Sequence, residues 1–340
     1  MIKSDQVGVV VIGRNEGERL KASLRSLEGV GLRVYVDSGS TDGSQAAAVA
    51  RGFELVELAV PPGFTAARAR NAGVARLLEL GANPQYIQMV DGDCEIAPGW
   101  IDAAVVALDA EPKLAAVFGR RRERFPDASV YNMLCDDEWD VPIGIVNACG
   151  GDALFRLQAL QAAGGYAPDL IAGEEPDLCL RLRAMGWRIR RIDAEMTLHD
   201  AAMTRFGQWW KRSRRAGHAF AELAFRHGAK GDPAWRRQTA SIVGWGGMGL
   251  LGLLGLVIGL LSEYSPVRTA AAVVIGLWAL QTARLVWKRR DEGAERAIPI
   301  GLFLMLGKFP QLQGVLDFHR RRLMGAETRL IEYKGEAAGG

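Results

Sequence analysis

Asp91 and Asp93, separated by one glycine, follow directly on the apolar run Tyr86–Val90. Hard carboxylate oxygens at that spacing suit Mg²⁺ or Mn²⁺, and such an ion can bridge a diphosphate. The same spacing also fits a solvated turn; the strand-like run before it favours the metal. A second acidic cluster, Glu174-Glu175-Pro176-Asp177, opens LCLRLRAMGW, whose leucines and arginines suit an amphipathic helix. Two readings fit it. The carboxylates complement a helix N-terminus, or one of them is a general base whose pKa is raised by neighbouring acids or burial. His199 ends the run Ile192–Leu198, and a neutral imidazole there is either structural or a ligand suited to Mn²⁺.

These residues need elements to hold them. Val7–Ile12 is a continuous apolar run suited to a buried parallel strand, and a helical pattern covers Glu16 to Leu27. Val34–Val36 predicts a second strand, ending in the turn Asp37-Ser38-Gly39-Ser40. Thr41 or Asp42 is placed to cap the next helix, which carries Ala46–Ala50. Phe53–Leu58 reads as a third strand, Thr65–Leu80 as an amphipathic helix and Tyr86–Val90 as a fourth strand. This βαβαβ order predicts an α/β fold with a mostly parallel, doubly wound sheet. Ligands of such sheets bind beyond the carboxyl ends of the strands, where Asp37 and Asp91 both fall.

Composition narrows the class. The 340 residues are 49% hydrophobic with a net charge of +3, which excludes a mainly disordered chain. No fixed-period repeat is present, which disfavours a solenoid. Cys94, Cys135, Cys149 and Cys179 are scattered without a CxxC spacing and read as reduced cytosolic thiols. The first residues run straight into a strand pattern without a signal-peptide cleavage site, so secretion is not expected. Charge is unevenly divided: residues 1–204 hold 21 Lys/Arg against 29 Asp/Glu, and residues 205–340 hold 21 against 10. An acidic front half argues against nucleic acid as a partner, and a basic rear half beside apolar runs suits an anionic membrane face.

Ile242–Leu261 is twenty residues without a charge, enough to cross a hydrocarbon core of about 30 Å. Its seven glycines would weaken a helix in water but suit close helix packing in lipid. Val267–Trp287 is a second candidate span, joined to the first by Ser262–Pro266 as a hairpin. Lys211, Arg212, Arg214 and Arg215 precede the pair and Lys288, Arg289 and Arg290 follow it, placing both ends in the cytoplasm by the positive-inside rule. Phe206, Trp209 and Trp210 beside Lys211 and Arg212 have the composition of an interfacial helix. Ala297–Gly307 is too short to span, so residues 297–316 are expected to lie in the interface or re-enter, and Phe318–Lys334 to sit at the cytoplasmic surface.

The blocks VVVIGRNEGERLKASLRSL, VYVDSGSTDGS, ARARNAG, VDGDCEIAPGW and AGEEPDLCLRLRAMGW stand in the order found in family 2 glycosyltransferases. Over residues 6–200 the chain resembles that family. The resemblance implies the GT-A nucleotide-sugar-binding, Rossmann-like fold and transfer of a sugar, with inversion, from a nucleotide diphosphate-sugar. It implies that Gly13, Arg14 and Glu16 line the nucleobase pocket, that Asp37, Ser38 and Gly39 form the base-and-ribose turn, and that Arg70 and Asn71 lie beside the ribose and diphosphate. Asp91 and Asp93 resemble the metal motif, Asp93 being the direct ligand, with His199 as a further ligand. Glu175 occupies the position where the family commonly has a catalytic aspartate; Glu174 and Asp177 are placed to share the role. Gly150, Gly151 and Asp152 resemble the acceptor-side loop. Gln208-Trp209-Trp210-Lys211-Arg212 departs from the Gln-x-x-Arg-Trp motif of polymerising synthases.

The expected organisation is therefore a catalytic domain over 1–204, basic interfacial helices over 205–241 and a membrane region over 242–340. The expected protein is a Mg²⁺- or Mn²⁺-dependent transferase of a bacterial inner membrane, with its catalytic domain in the cytoplasm. Its partners would be a nucleotide diphosphate-sugar, a lipid-linked saccharide and other glycan-assembly enzymes, in exopolysaccharide or cell-surface glycan synthesis. A processive synthase and a non-catalytic nucleotide-binding scaffold are the alternatives.

Overall fold

The computed structural model describes residues 6–59, 63–81, 83–262 and 265–325. They form two compact units that divide after Thr204. The first unit begins with β1 (Val7–Gly13), α1 (Glu18–Ser26), β2 (Arg33–Asp37), α2 (Ser44–Val49), β3 (Glu54–Glu57), α3 (Ala66–Glu79) and β4 (Tyr86–Asp91). It continues through β5 (Cys94–Ile96), α4 (Trp100–Ala110), β6 (Leu114–Glu123), α5 (Val130–Glu138), β7 (Gly144–Val146), β8 (Ala153–Arg156), α6 (Leu157–Ala162), α7 (Glu174–Ala184) and β9 (Arg188–His199).

Val9, Val10 and Val11 of β1 have no exposed surface, as expected where stiff β-branched side chains are covered on both faces of a sheet. Thr65 caps α3, its Oγ1 accepting the Arg68 N–H at 3.1 Å. Neither Thr41 nor Asp42 caps α2: the cap is Gly43, at φ +82°, while Asp42 Oδ1 accepts the Ser44 N–H from one residue further out. The tight turn needs a left-handed residue at the cap, and only glycine takes that conformation cheaply.

The strand order is β3-β2-β1-β4-β8-β6-β9-β5, with β7 added on β9. The first four strands are parallel, as the βαβαβ order predicts. Beyond them the sheet is mixed: β8 runs antiparallel to β4 and β6, β6 and β9 are parallel, and β5 and β7 run antiparallel to β9. Antiparallel neighbours need no crossover helix, so short strands can join this side from either direction.

Register positions the chemistry. Gly13 lies opposite Asp37 and Ile12 opposite Asp91, so the carboxyl ends of β1, β2 and β4 are level. On the mixed side, His199 lies opposite both Cys94 and Glu123. The β6–β9 ladder shifts register between Phe118 and Arg120. A Cβ on Gly119, between them, would stand 2.4 Å from the Ala194 carbonyl oxygen and 2.8 Å from the Trp100 ring.

The second unit is helical: α8 (Phe206–His227), α9 (Pro233–Ser262), α10 (Ser265–Lys288), α11 (Ala294–Leu306) and α12 (Lys308–Leu323). Both α9 and α10 are long and apolar enough to cross a membrane. The first helix starts nine residues before the uncharged run, because Asp232 accepts the Ala234 N–H and Pro233 suits a first helical turn. The segment 297–316 is not one element; it breaks into α11 and α12 at Gly307. Residues 263–264 of the expected link and 326–334 of the expected tail lie outside the described residues.

Replacing Gly119 by alanine is expected to destabilise the first unit by about 1–3 kcal/mol, since backbone on β9 cannot yield to a Cβ. Thermal unfolding of the purified chain checks this. Gly63→Ala, which adds a Cβ to open space, should leave the midpoint unchanged.

Candidate active site

The two turns that follow β1 and β2 are stitched together. Asn15, at φ +53°, donates its N–H to Ser40 Oγ (3.0 Å) and accepts the Thr41 N–H on Oδ1 (2.8 Å). Gly17 N–H donates to Asp42 Oδ2 at 2.8 Å. Asp37 is buried inside this knot: Oδ2 accepts from the Gly39 and Ser40 N–H groups and from Gln45 Nε2, and Oδ1 accepts the Tyr35 hydroxyl. Its carboxylate builds the turn. The Ser38 N–H donates to the Gly13 carbonyl, and the Arg14 guanidinium lies 5.5 Å over the Phe64 ring, which also touches the Cβ position of Gly39. Glu16 pairs with Arg19 at 2.8 Å.

Arg70 of α3 is the hub of the acidic groups. Its guanidinium is 2.9 Å from Asp91 Oδ1, 3.0 Å from Glu174 Oε1 and 2.9 Å from Glu175 Oε1. The Arg70 side chain is 3% exposed, those of Glu174 and Glu175 are 5% and 16%, and that of Asp91 is 26%. Burial works against the Arg70 charge, but Glu175 and then Asp91 outweigh it and keep the group protonated. Glu175 moves the other way. Burial first and the Glu174 carboxylate second push it up to about 7, against the pull of Arg70. A buried acid beside a second acid that shares its one cation shifts in this direction. Gly151 lies against this centre, where a Cβ would come within 2.6 Å of Arg70 and 2.8 Å of Asp91.

Asp152 locks the neighbouring position. Its Oδ1 accepts the Asp91 N–H at 2.9 Å, and its Oδ2 accepts the Thr197 hydroxyl and lies 3.3 Å from Arg121. Burial raises the Asp152 pKa, with Arg121 opposing. Arg121 also reaches Asp91 at 3.5 Å and stacks 4.7 Å over Trp139.

Asp93 and His199 come together from β5 and β9. His199 Nε2 is 3.1 Å from Asp93 Oδ2, and Nδ1 is 3.5 Å from Glu123 Oε2. Glu123 is itself held by the Phe125 and Ala201 N–H groups and the Asn132 amide. Ligand atoms of Asp93, Cys94 and His199 lie within 4.8 Å of one another, as do those of Asp91, Cys94 and Asp152. Burial raises the Cys94 pKa well above the thiol range, so it stays a weak ligand for a hard ion. The remaining donors, carboxylate oxygens and the His199 imidazole, whose Nδ1 lies 3.5 Å from Glu123, fit Mn²⁺ or Mg²⁺. The structure separates Asp91 from the Asp93–His199 group, because Arg70 and Arg121 hold its carboxylate.

Two expected site residues are bonded to structural neighbours. Both Oδ1 and Nδ2 of Asn71 are bonded to the Tyr166 backbone, at 2.9 and 2.8 Å. Asp177 is 1% exposed and paired at 2.9 Å with Arg181, whose guanidinium also binds the Ala163 and Gly165 carbonyls. In the second unit, Trp209 is buried and packs edge-on to Phe303 at 5.0 Å, because α11 covers it. Trp210 is half-buried and donates to Gln313, while Lys211 is exposed and Arg212 half-buried. Sequence reasoning missed Arg121, Glu123, Trp139 and Thr197. The run Arg120-Arg121-Arg122-Glu123 after the apolar Leu114–Phe118 was the available signal.

The mixed α/β sheet is of the GT-A kind, and a solved structure shares the fold. A mannosyltransferase from Pyrobaculum calidifontis, determined with GDP-mannose and Mn²⁺, matches with a TM-score of 0.58 at 20% identity, covering 92% of this chain and 87% of its own. Residues 8–159, a little under half of the chain, match the model of glycosyl transferase family 2, and this segment is similar to that family. The pre-mycofactocin glycosyltransferase of two Mycobacterium tuberculosis strains, CDC 1551 and H37Rv, is 26% identical over 304 residues, covering 80% of this chain. The chain spans 62% of the length of those relatives.

Arg70→Met should cost about 3–5 kcal/mol of stability, because it strands three carboxylates around a buried void. Arg70→Lys should recover only part of it, since a point charge cannot fork between them. Denaturant unfolding of the three proteins at pH 8, where Glu175 is ionised, measures both effects.

Proposed function

We propose that the protein is an inverting glycosyltransferase that moves a sugar from a nucleotide diphosphate-sugar to a hydroxyl of a lipid-linked saccharide at a bacterial inner membrane. The pairing of Glu175 with Arg70 carries this reading. Glu175 is the more exposed acid of the Glu174–Glu175 pair and has a pKa of about 7, suited to a general base, whereas Asp177 is tied to Arg181. In the transfer, the acceptor oxygen bonds to the anomeric carbon as the bond to the leaving phosphate breaks on the opposite face. The hydroxyl proton passes to Glu175 Oε. Arg70 holds that carboxylate in place and couples it to Asp91. Asp93 and His199 would hold Mg²⁺ or Mn²⁺, which when bound neutralises the leaving diphosphate. Gly13, Arg14, Glu16 and the Asp37 turn lie at the level strand ends, where the base and ribose would be bound.

The membrane reading is supported by exposure. Only 6% of the apolar window of α10 and 28% of that of α9 is buried, which leaves Leu250, Leu251, Leu260 and Leu280 at the surface. Apolar faces of that extent are costly in water and suit lipid. The name of the mycobacterial relatives favours a second acceptor, pre-mycofactocin, to be assayed beside a lipid-linked saccharide.

Release of nucleoside diphosphate from a panel of nucleotide-sugars, GDP-mannose among them, tests the reaction, and the anomeric configuration of the product tests inversion. A retained configuration, or nucleotide binding without any transfer, overturns the proposal. Glu175→Gln should lower turnover by about 10²–10⁴ while leaving donor affinity intact. Because the raised pKa leaves Glu175 protonated at low pH, kcat/KM of the parent should fall about tenfold per unit below pH 7, and the variant should lack this limb. Full-length protein should resist extraction by carbonate or high salt and yield only to detergent.

A further inference from the structure

Helices α8 and α12 are in backbone contact. A Cβ on Gly217 would stand 2.0 Å from the Gln311 carbonyl oxygen, and one on Gly314 2.0 Å from that of Arg214. Cross-contacts ascend together along both helices, from Trp210 with Gln313, through Arg214 with Asp317 (2.5 Å) and His218 with Phe318, to Phe225 with Arg322. The helices therefore run side by side in one direction. Next to the contact is a cavity of about 280 Å³. Its walls are His218, Glu222, Phe225 and Arg226 on α8 and Phe318, Arg321 and Arg322 on α12.

Three guanidinium groups against one carboxylate make this lining cationic. Arginines in the last turns of two helices also complement the helix dipoles, so they carry no ligand by themselves. His218 is the second observation. Its side chain is 1% exposed, it lines the cavity, and neither ring nitrogen has a hydrogen-bond partner among the described residues. Nδ1 stands 3.4 Å from Glu222 Oε2 without hydrogen-bond geometry. Leaving a buried imidazole unbonded costs free energy that a ligand oxygen would return. Burial, then the Arg321 charge, holds the His218 pKa down at about 4 despite Asp317, so the ring is neutral and offers one N–H.

We propose that this cavity binds a phosphate monoester, with His218 donating to one oxygen and Arg321 and Arg322 meeting the others. A monoester carries a charge of about −1.5 to −2 at pH 7 and matches the guanidinium fork. Phe225, half of whose surface is exposed, and Phe318 supply an apolar wall beside the head, as the first carbons of an attached chain would need. The site lies wholly within the second unit and does not rest on the donor chemistry.

Full-length protein in detergent micelles with EDTA is titrated with decyl phosphate, inorganic phosphate and decanol, reading affinity by calorimetry and the imidazole signal of His218 among the four histidines. Decyl phosphate should bind saturably and shift that signal, and Arg321→Gln with Arg322→Gln should weaken binding about tenfold or more. His218→Phe should weaken it as well, with a matched thermal midpoint; if that variant does not fold, the arginine pair decides. Inorganic phosphate binding as tightly as decyl phosphate supports the site and assigns it to a soluble phosphate, whereas preference for the alkyl ester assigns it to a lipid head group. Equal binding of decanol, or affinity unchanged in the arginine variant, overturns the proposal.

Discussion

One buried guanidinium governs the acidic centre. Arg70 comes from α3, Asp91 from the end of β4, and Glu174 and Glu175 from the first turn of α7. Three carboxylates at that separation repel strongly in a medium of low dielectric, and none is stable there as a lone charge. Arg70 brings one positive charge to three carboxylates, with Arg121 also reaching Asp91, and the excess negative charge contributes with burial to the raised pKa of Glu175. A carboxyl titrating near neutrality is thus a consequence of burial and of more acids than the cation can neutralise. Tyr166 lies 5.4 Å from the guanidinium, and Asn71 fixes the Tyr166 backbone, so residues without chemistry of their own hold the hub still.

The two halves of the sheet deliver different groups. Level parallel strands bring Gly13, Asp37 and Asp91 to one edge, which is why any nucleotide would meet them together. Asp93, His199 and Glu123 depend instead on the antiparallel and parallel pairings of β9 with β5 and β6. Asp152 ties the halves, binding the Asp91 N–H with one oxygen and Thr197 of β9 with the other. Gly151 precedes it because no side chain fits between Arg70 and Asp91. The pairing of β5 with β9 is what brings the Asp93 carboxylate and the His199 imidazole together.

Local pattern made much of this legible. Val7–Ile12, Tyr86–Val90 and Thr65–Leu80 were readable because their apolar periodicity is uninterrupted, and the motif blocks marked Arg70, Asp91, Asp93 and Glu175. The mixed half was not, since strands such as β5 and β7 are three residues long and have no period to read. Asp37, Asn71 and Asp177 show a different limit. Their residue types suit ligands, yet each makes hydrogen bonds or an ion pair to nearby backbone or side chains, and only three-dimensional partners reveal that. Arg121 and Glu123 were hidden for the opposite reason: a charge run after an apolar strand reads as solvated until its burial is seen.

Glycine has two distinct roles in the second unit. Gly249, Gly252 and Gly259 let α9 approach neighbouring helices closely, with Cβ positions 2.7 Å from Phe309, 3.0 Å from Val274 and 2.5 Å from Arg268. Close backbone contact gains dispersion energy without needing water-driven collapse, which is the requirement in lipid. Gly217 and Gly314 bring α8 and α12 together in a seam that carries arginines, Trp210 and a buried histidine. There the close approach has an electrostatic result: it removes His218 from water while the long cationic side chains of the following turn reach past it. Had either glycine been larger, the helices would separate, water would hydrate the imidazole, and the cavity beside it would become open surface. The same small residue therefore gives α9 its packing and gives the α8–α12 seam its buried polar group.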